Sequence, residues 1–169
     1  VYEFQEDMGS YRNYWGYGTG YYFAPKAAYA AFDDAQTELK DLVKACHKAG
    51  IEVVLEMPFT EKILPQTVLE CLRFYLLEYH VDGFVVNPYN VPWDSLNADP
   101  ILKGAKIFKK EEGFQNSMRR FLKGDEGMVR EVIRQLCRRT PEDGCCNYIT
   151  SHTGFTLCDL VSYDGKHNE

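Results

Sequence analysis

At 169 residues, 45% of them hydrophobic, the chain can bury one ordinary core, and its length suggests one domain. A formal net charge of -6 with acids and bases interspersed argues against a nucleic-acid surface, and basic doublets such as Lys109-Lys110 and Arg138-Arg139 are read as solvated. No stretch approaches the roughly 20 consecutive apolar residues that a membrane-spanning helix needs, so neither nucleic acid nor membrane is expected as a partner.

The chain opens on "VYEF", which has the composition of a strand already under way. A segment dense in aromatics and glycines follows, "YRNYWGYGTGYYFAP", read as a loop. Asp33 or Asp34 can cap a helix in which Leu39, Leu42, Val43 and Cys46 recur at helical spacing, and Gly50 ends it. "IEVVLEMPF" is rich in β-branched residues and predicts a strand. Pro65 suits the first turn of a helix, which Val68, Leu69, Leu72, Tyr75, Leu76 and Tyr79 continue up to His80. "VDGFVVN" is the next strand, an irregular stretch follows, and "GAKIF" is a shorter strand. Helices are expected over about residues 114–122 and 128–139, then "CCNYITS" as a final strand. Strands alternating with helices imply an α/β fold, a parallel sheet covered by helices.

The six cysteines, Cys46, Cys71, Cys137, Cys145, Cys146 and Cys158, form no C-x-x-C. Three lie in helical patterns, where a thiol acts as a small hydrophobe. Cys usage of this kind favours a reduced, cytoplasmic setting. The Cys145-Cys146 pair has no His or second pair at ligand spacing, so no metal and no cofactor is expected. His47 reads as a surface residue, His80 as a helix end where it suits the dipole, and Asp82 as a turn residue before Gly83. His167 has no evident partner.

Parallel α/β folds carry their chemistry on loops beyond the carboxyl ends of the strands. Four such loops stand out: the aromatic segment, "EMPFTE", "NPYN" and "SHTGF". The aromatic one can be a platform on which sugar rings stack or a packed, Tyr-rich surface loop, and composition leaves both open.

"NYWGYGTGYYFAPKAAYA", "LVKACHKAGIEVVLEMPF", "VDGFVVN", "FQNSMRRFLKGDEGM" and "NYITSHTGFTLCDLVSYDGKHNE" resemble, in order, segments of the isoamylase, pullulanase and glycogen-debranching branch of glycoside hydrolase family 13. That family has a (β/α)8 barrel and cleaves α-glucosidic bonds with retention, using an Asp nucleophile, a Glu general acid and a second Asp that binds substrate hydroxyls. The resemblance implies a partial barrel over residues 1–169, equivalent to roughly the second to seventh strands. Its parallel sheet is expected not to close, and the chain to be a piece of a longer one.

What the resemblance implies for the site is loss. The family strand that ends Gly-Phe-Arg-Phe-Asp is here Gly83-Phe84-Val85-Val86-Asn87, so Asn87 matches the nucleophile and Val85 the arginine that holds it. The family's His-Asp-Gly-Phe is His152-Thr153-Gly154-Phe155, which keeps the histidine and replaces the acid. Asp-Val-Val-Phe-Asn-His corresponds to Glu56-Met57-Pro58-Phe59-Thr60-Glu61. The general acid aligns with Lys110, where a loop and a strand look to be missing and Glu111 or Glu112 can be offered instead. Tyr17 matches the tyrosine that stacks on the sugar at the cleavage point, with Trp15 and Tyr14 beside it.

A retaining mechanism needs an ionised carboxylate facing a protonated acid about 5–5.5 Å away, and an Asn amide is neither charged nor nucleophilic. The expected function is therefore an α-glucan debranching-type segment without hydrolysis that binds α-glucan or malto-oligosaccharide weakly through Tyr14, Trp15, Tyr17 and His152. The alternatives are a hydrolase recruiting Glu56, Glu61, Glu111 or Glu112, and a scaffold with no ligand.

Overall fold

The computed structural model describes residues 1–18, 20–32, 34–110, 112–138, 144–150 and 156–163. The chain divides into two compact units, Val1–Phe108 and Lys109–Glu169.

In the first unit, β1 (Tyr2–Phe4) and β2 (Gly20–Pro25) form an antiparallel pair. Lys26, just past β2, is 5% exposed; its ammonium lies 2.8 Å from Glu3, 2.9 Å from Glu6 and 4.1 Å from the Phe4 ring centroid. A buried cation needs such partners, because an unpaired charge out of water is costly.

Helix α1 (Ala35–Lys48) begins where the sequence placed it. The Asp34 carboxylate accepts from Gln36 N and Thr37 N at 3.1 and 3.0 Å, which satisfies two backbone donors the helix cannot use itself. Glu38 accepts from Ala31 N and Phe32 N, both at 2.7 Å, and so fixes the approach of the chain. Beyond α1, Gly50 takes φ +73°, the left-handed turn that ends many helices.

β3 (Val54–Met57) runs parallel to β4 (Gly83–Val86) in the register Val54 to Gly83, Leu55 to Phe84, Glu56 to Val85 and Met57 to Val86. Side chains alternate across a strand. Leu55, Met57, Phe84 and Val86 are buried, while Glu56 and Val85 lie half-buried on the other face. Between the strands, α2 (Pro65–Glu78) starts with Pro65 in its first turn and buries Val68, Leu69, Cys71, Leu72 and Tyr75. Burial pushes the Cys71 thiol up to about 12, so it packs as a hydrophobe.

β5 (Lys106–Lys110) follows α3 (Trp93–Ala98) and lies beside β4, with Lys106 N donating to the Asp82 carbonyl at 3.2 Å. In the second unit, α4 (Glu112–Lys123) packs on α5 (Met128–Leu136) and α6 (Leu157–Ser162), burying Phe114, Ser117, Met128 and Val132. β6 (Gly144–Cys146) lies in the second unit, while in the first β3, β4 and the start of β5 are neighbours in that order. Sequence neighbours are sheet neighbours, and the sheet is open among the described residues.

Four expectations change. The "VYEF" strand does not join the parallel sheet but pairs antiparallel with β2, which lies inside the segment read as a loop. The irregular stretch before "GAKIF" contains α3. The last strand covers only Gly144–Cys146, and α6 follows it. α2 stops at Glu78, leaving His80 in the left-handed region at φ +55°. The first two changes share a cause: a short element draws its stability from tertiary partners rather than from its own pattern.

One core side chain yields a prediction. Tyr75 is fully buried among Phe74, Tyr79 and Cys71, and its hydroxyl finds no hydrogen-bond partner among the described residues. An orphaned buried hydroxyl carries its full desolvation penalty. Tyr75→Phe is expected to leave stability unchanged or raise it by about 1 kcal/mol, read by urea denaturation. A loss of more than that would mean the hydroxyl has a partner.

Candidate functional site

The loops beyond β1, β3 and β4 belong to the first unit. The loop between β1 and β2 is held from within. The Tyr2 hydroxyl donates to the Gly16 carbonyl, Gly16 N donates to Asn13 Oδ1 at 3.1 Å, and Asn13 Nδ2 donates to the Tyr17 carbonyl at 3.1 Å. Gly16 sits at φ +73°, and a Cβ there would overlap the Phe4 ring at 2.5 to 2.9 Å, so glycine is required on both counts. Burial first, then Tyr22, Tyr17 and Glu56, holds the Tyr2 phenol well above its ordinary pKa, so it serves as a neutral donor.

This frame displays two aromatic rings and withholds a third. Tyr14 and Trp15 are 73% and 56% exposed and meet edge to face, with centroids 5.2 Å apart. Tyr17 turns inward, and its hydroxyl donates to Glu56 Oε1 at 3.1 Å. Residues 39 positions apart thereby join the aromatic loop to β3. Nothing in the sequence signalled that pair beyond the appearance of both residues among the candidates.

The loops beyond β3 and β4 are joined as well, because Asn90 Nδ2 donates to the Phe59 carbonyl at 2.6 Å. Asn87 directly follows β4 and is exposed. Its side-chain oxygen accepts from Tyr89 N at 3.0 Å and caps the 3-10 turn Pro88–Asn90, an Asx turn that short polar residues favour. Trp93 Nε1 donates to the Pro88 carbonyl at 2.7 Å and braces the same turn. Glu61 stands exposed in the turn after β3. The structure therefore brings together Tyr17 and Glu56, places Tyr14 and Trp15 on the same loop, and sets Asn87 at the same end of the strands.

In the second unit Lys110 is the last residue of β5, half-buried, with its ammonium 5.5 Å from the Tyr148 ring centroid. Glu112 is the exposed first residue of α4. Glu111, His152 and Thr153 fall outside the described residues. Among the described residues no group of three His, Cys, Asp or Glu could hold a metal ion, and no helix is long and apolar enough to cross a membrane.

Asp82, at the amino end of β4, has the structural role its position suggested. Its carboxylate accepts from Val53 N at 2.7 Å and lies 2.9 Å from His47 Nε2. The Val53 N–H, then His47 and Lys106, hold it below the ordinary carboxylate range against the opposing effect of burial.

The open parallel sheet, with its candidate residues on the loops past the strand ends, is the architecture of a partial (β/α)8 barrel. The pullulanase type I of Bacillus subtilis, solved in complex with maltose, superposes on 96% of this chain and 37% of its own with a TM-score of 0.64 at 17% identity, a likeness of fold. In sequence, the chain is similar over nearly its whole length to isoamylases and glycogen debranching enzymes. It is 26% identical to isoamylase 3, chloroplastic, of Oryza sativa subsp. japonica, over 93% of this chain and 32% of that protein. The glycogen debranching enzyme of Pectobacterium carotovorum is 28% identical over 94% of this chain and 37% of its own length. No protein-family model matches the chain.

The chain thus spans about a third of the length of the curated relatives it matches. The match to the rice protein extends over 253 residues against 169 in this chain, so the relative carries internal segments with no counterpart here.

Proposed function

We propose that this chain is a debranching-type barrel segment that has lost hydrolysis and keeps a weak α-glucan platform. The observation that carries the reading is Asn87: the residue aligned with the family nucleophile is a neutral amide whose oxygen is already taken by Tyr89 N. Val85, beside Glu56 in the sheet register, offers no donor that could orient a carboxylate at position 87. Lys110 and Thr153 stand where the general acid and the second Asp would be, so protonation of the leaving group and the grip on substrate hydroxyls are gone with the nucleophile. The exposed edge-to-face pair of Tyr14 and Trp15 supports binding, because such rings present an apolar face to a sugar at small entropic cost. Tyr17 borders the platform, and His152 is the remaining family contact. The six free thiols support a reducing compartment, the cytoplasm by this reading, although the rice relative is chloroplastic.

Titration with maltoheptaose is expected to quench tryptophan fluorescence saturably with millimolar affinity, about 4 kcal/mol. The signal should vanish in Trp15→Phe, since Trp93, the other tryptophan, is bonded to Pro88. No saturable change in the folded protein favours a scaffold instead. In a reducing-sugar assay neither wild type nor Asn87→Asp should turn over α-1,4 or α-1,6 glucan. A positioned general acid is typically worth about 10²–10⁴ in rate, and residues that act as one unit do not restore activity singly. Turnover by Asn87→Asp would identify a displaced acid, with Glu56, Glu61, Glu111 and Glu112 the residues to substitute next.

A further inference from the structure

We propose that the first unit carries a second ligand site, a groove between the last turns of α1 and α2 that takes a phosphate monoester with a ring-shaped body. The groove measures about 760 Å³, within the roughly 300–1,000 Å³ of small-molecule sites and several times larger than a bare phosphate requires. His47 lines it and is bonded to Asp82, the residue before β4. The groove therefore lies at the end of the strands opposite to Asn87, away from the glucan platform.

The charges around the groove do not cancel. Lys40, Lys44 and Lys48 recur every four residues along one face of α1, where like charges repel. Lys40 is paired with Glu78 at 3.4 Å, and the Asp82 carboxylate is bonded to His47 Nε2 at 2.9 Å. Lys44 and Lys48 form no side-chain hydrogen bond or ion pair among the described residues, and Asp41 is the acid left to face them. A helix C-terminus attracts cations by itself and accounts for Lys48 in the last turn. It does not account for Lys44, a full turn earlier. Three of the last four carbonyls of α1 are also occupied, because Ala45, Cys46 and His47 accept from the N–H groups of Ala49, Gly50 and Ile51, which reduces the free negative charge that terminus presents to a ligand.

His80 adds an independent observation. Among the described residues it is the only one other than glycine with a positive φ, +55°. At the position just past a helix glycine is the usual occupant, and a larger side chain is held there at a conformational cost that often marks a functional place. Here that cost sets an imidazole on the rim of the groove, opposite the α1 lysines. The floor is apolar: Val43 and Tyr79 are buried, and Leu77 is 53% exposed. Lys44 and Lys48 suit the phosphate, the His80 ring N–H can donate to it, and Leu77 suits the flat face of a sugar or base.

The test follows the histidine ring C–H resonances of the intact chain by NMR during titration with glucose 6-phosphate and, separately, with AMP; His80→Gly and His47→Gln assign the two signals. Saturable shifts of both rings with a dissociation constant of a few millimolar are expected for at least one ligand, with none for glucose; the ligand that binds tells a sugar body from a nucleoside body. The exposed pair Lys44→Ser and Lys48→Ser should weaken binding at least tenfold. His80→Gly should melt at or above the wild-type temperature, since glycine relieves the strained φ, yet bind several-fold more weakly. The proposal is overturned if neither ligand saturates below about 20 mM, if sodium chloride at equal ionic strength reproduces the shifts, or if both variants bind as wild type does.

Discussion

Gly83→Ala is expected to destabilise the protein by about 3 kcal/mol or more. A Cβ at Gly83 would collide with the Lys106 carbonyl oxygen and lie 2.7 Å from the Lys106 Cβ. The obstacle is backbone, not the yielding end of a long side chain. β4 must therefore move off β5, and the bond from Lys106 N to the Asp82 carbonyl at 3.2 Å moves with it. Phe84 and Val86 are fully or almost fully buried on the same strand, so a shift of β4 also disturbs the packing of α2. The measurement is a urea melt of the variant beside wild type. A midpoint within error of wild type would show that β5 is displaced at little cost and that the close approach does not hold the sheet together.

Asp99→Ala is expected to cost about 2–3 kcal/mol. The Asp99 side chain is 1% exposed and accepts from Arg73 Nε at 2.6 Å, from Ile101 N at 2.8 Å and from Leu102 N at 3.0 Å. It ties α2 to the turn after α3. Alanine leaves two backbone donors and a guanidinium without their acceptor, although Arg73, 37% exposed, recovers part of its loss from water. The Arg73 guanidinium, and after it the Leu102 and Ile101 N–H groups, hold this carboxyl below its ordinary pKa, against the burial that raises it.

The folded state then binds the proton less tightly than the unfolded chain does. Its contribution is complete above the unfolded carboxylate value near pH 4 and is lost as pH falls through the lower, folded value. Asp34 and Asp82 are depressed as well, so the whole chain loses stability in acid, and the share of Asp99 is isolated by comparison. Asp99→Asn, which keeps an acceptor and removes the charge, should be less stable than wild type at pH 7 and show a shallower decline below pH 4. Parallel acid profiles for the two proteins would mean that Asp99 contributes no charge-dependent stability.

Much of this molecule was determined by the sequence alone, wherever local chemistry suffices. Asp34 caps α1 because a short carboxylate reaches the next free N–H groups, and Pro65 opens α2 because its ring suits a first helical turn. The apolar spacing of Val68, Leu69, Leu72 and Tyr75 states which face of α2 is buried. The reading that Asn87 and Val85 stand where the family has a nucleophile and its supporting arginine is likewise an expectation drawn from the sequence resemblance, requiring no coordinates. Only the tertiary structure decided the rest. A three-residue strand such as β1 holds no information about its partner, and the pairing with β2 emerges once Tyr2, Phe4 and Tyr22 share a core. The bond between Tyr17 and Glu56 closes a loop of 39 residues, a contact that no periodicity encodes because it depends on where two separate elements come to rest. Gly83 reads locally as a turn signal, yet its real constraint is the backbone of β5 lying against it. Local propensity acts over a few residues, while strand pairing, close backbone approach and the facing of candidate side chains are set by contacts between segments far apart in the chain.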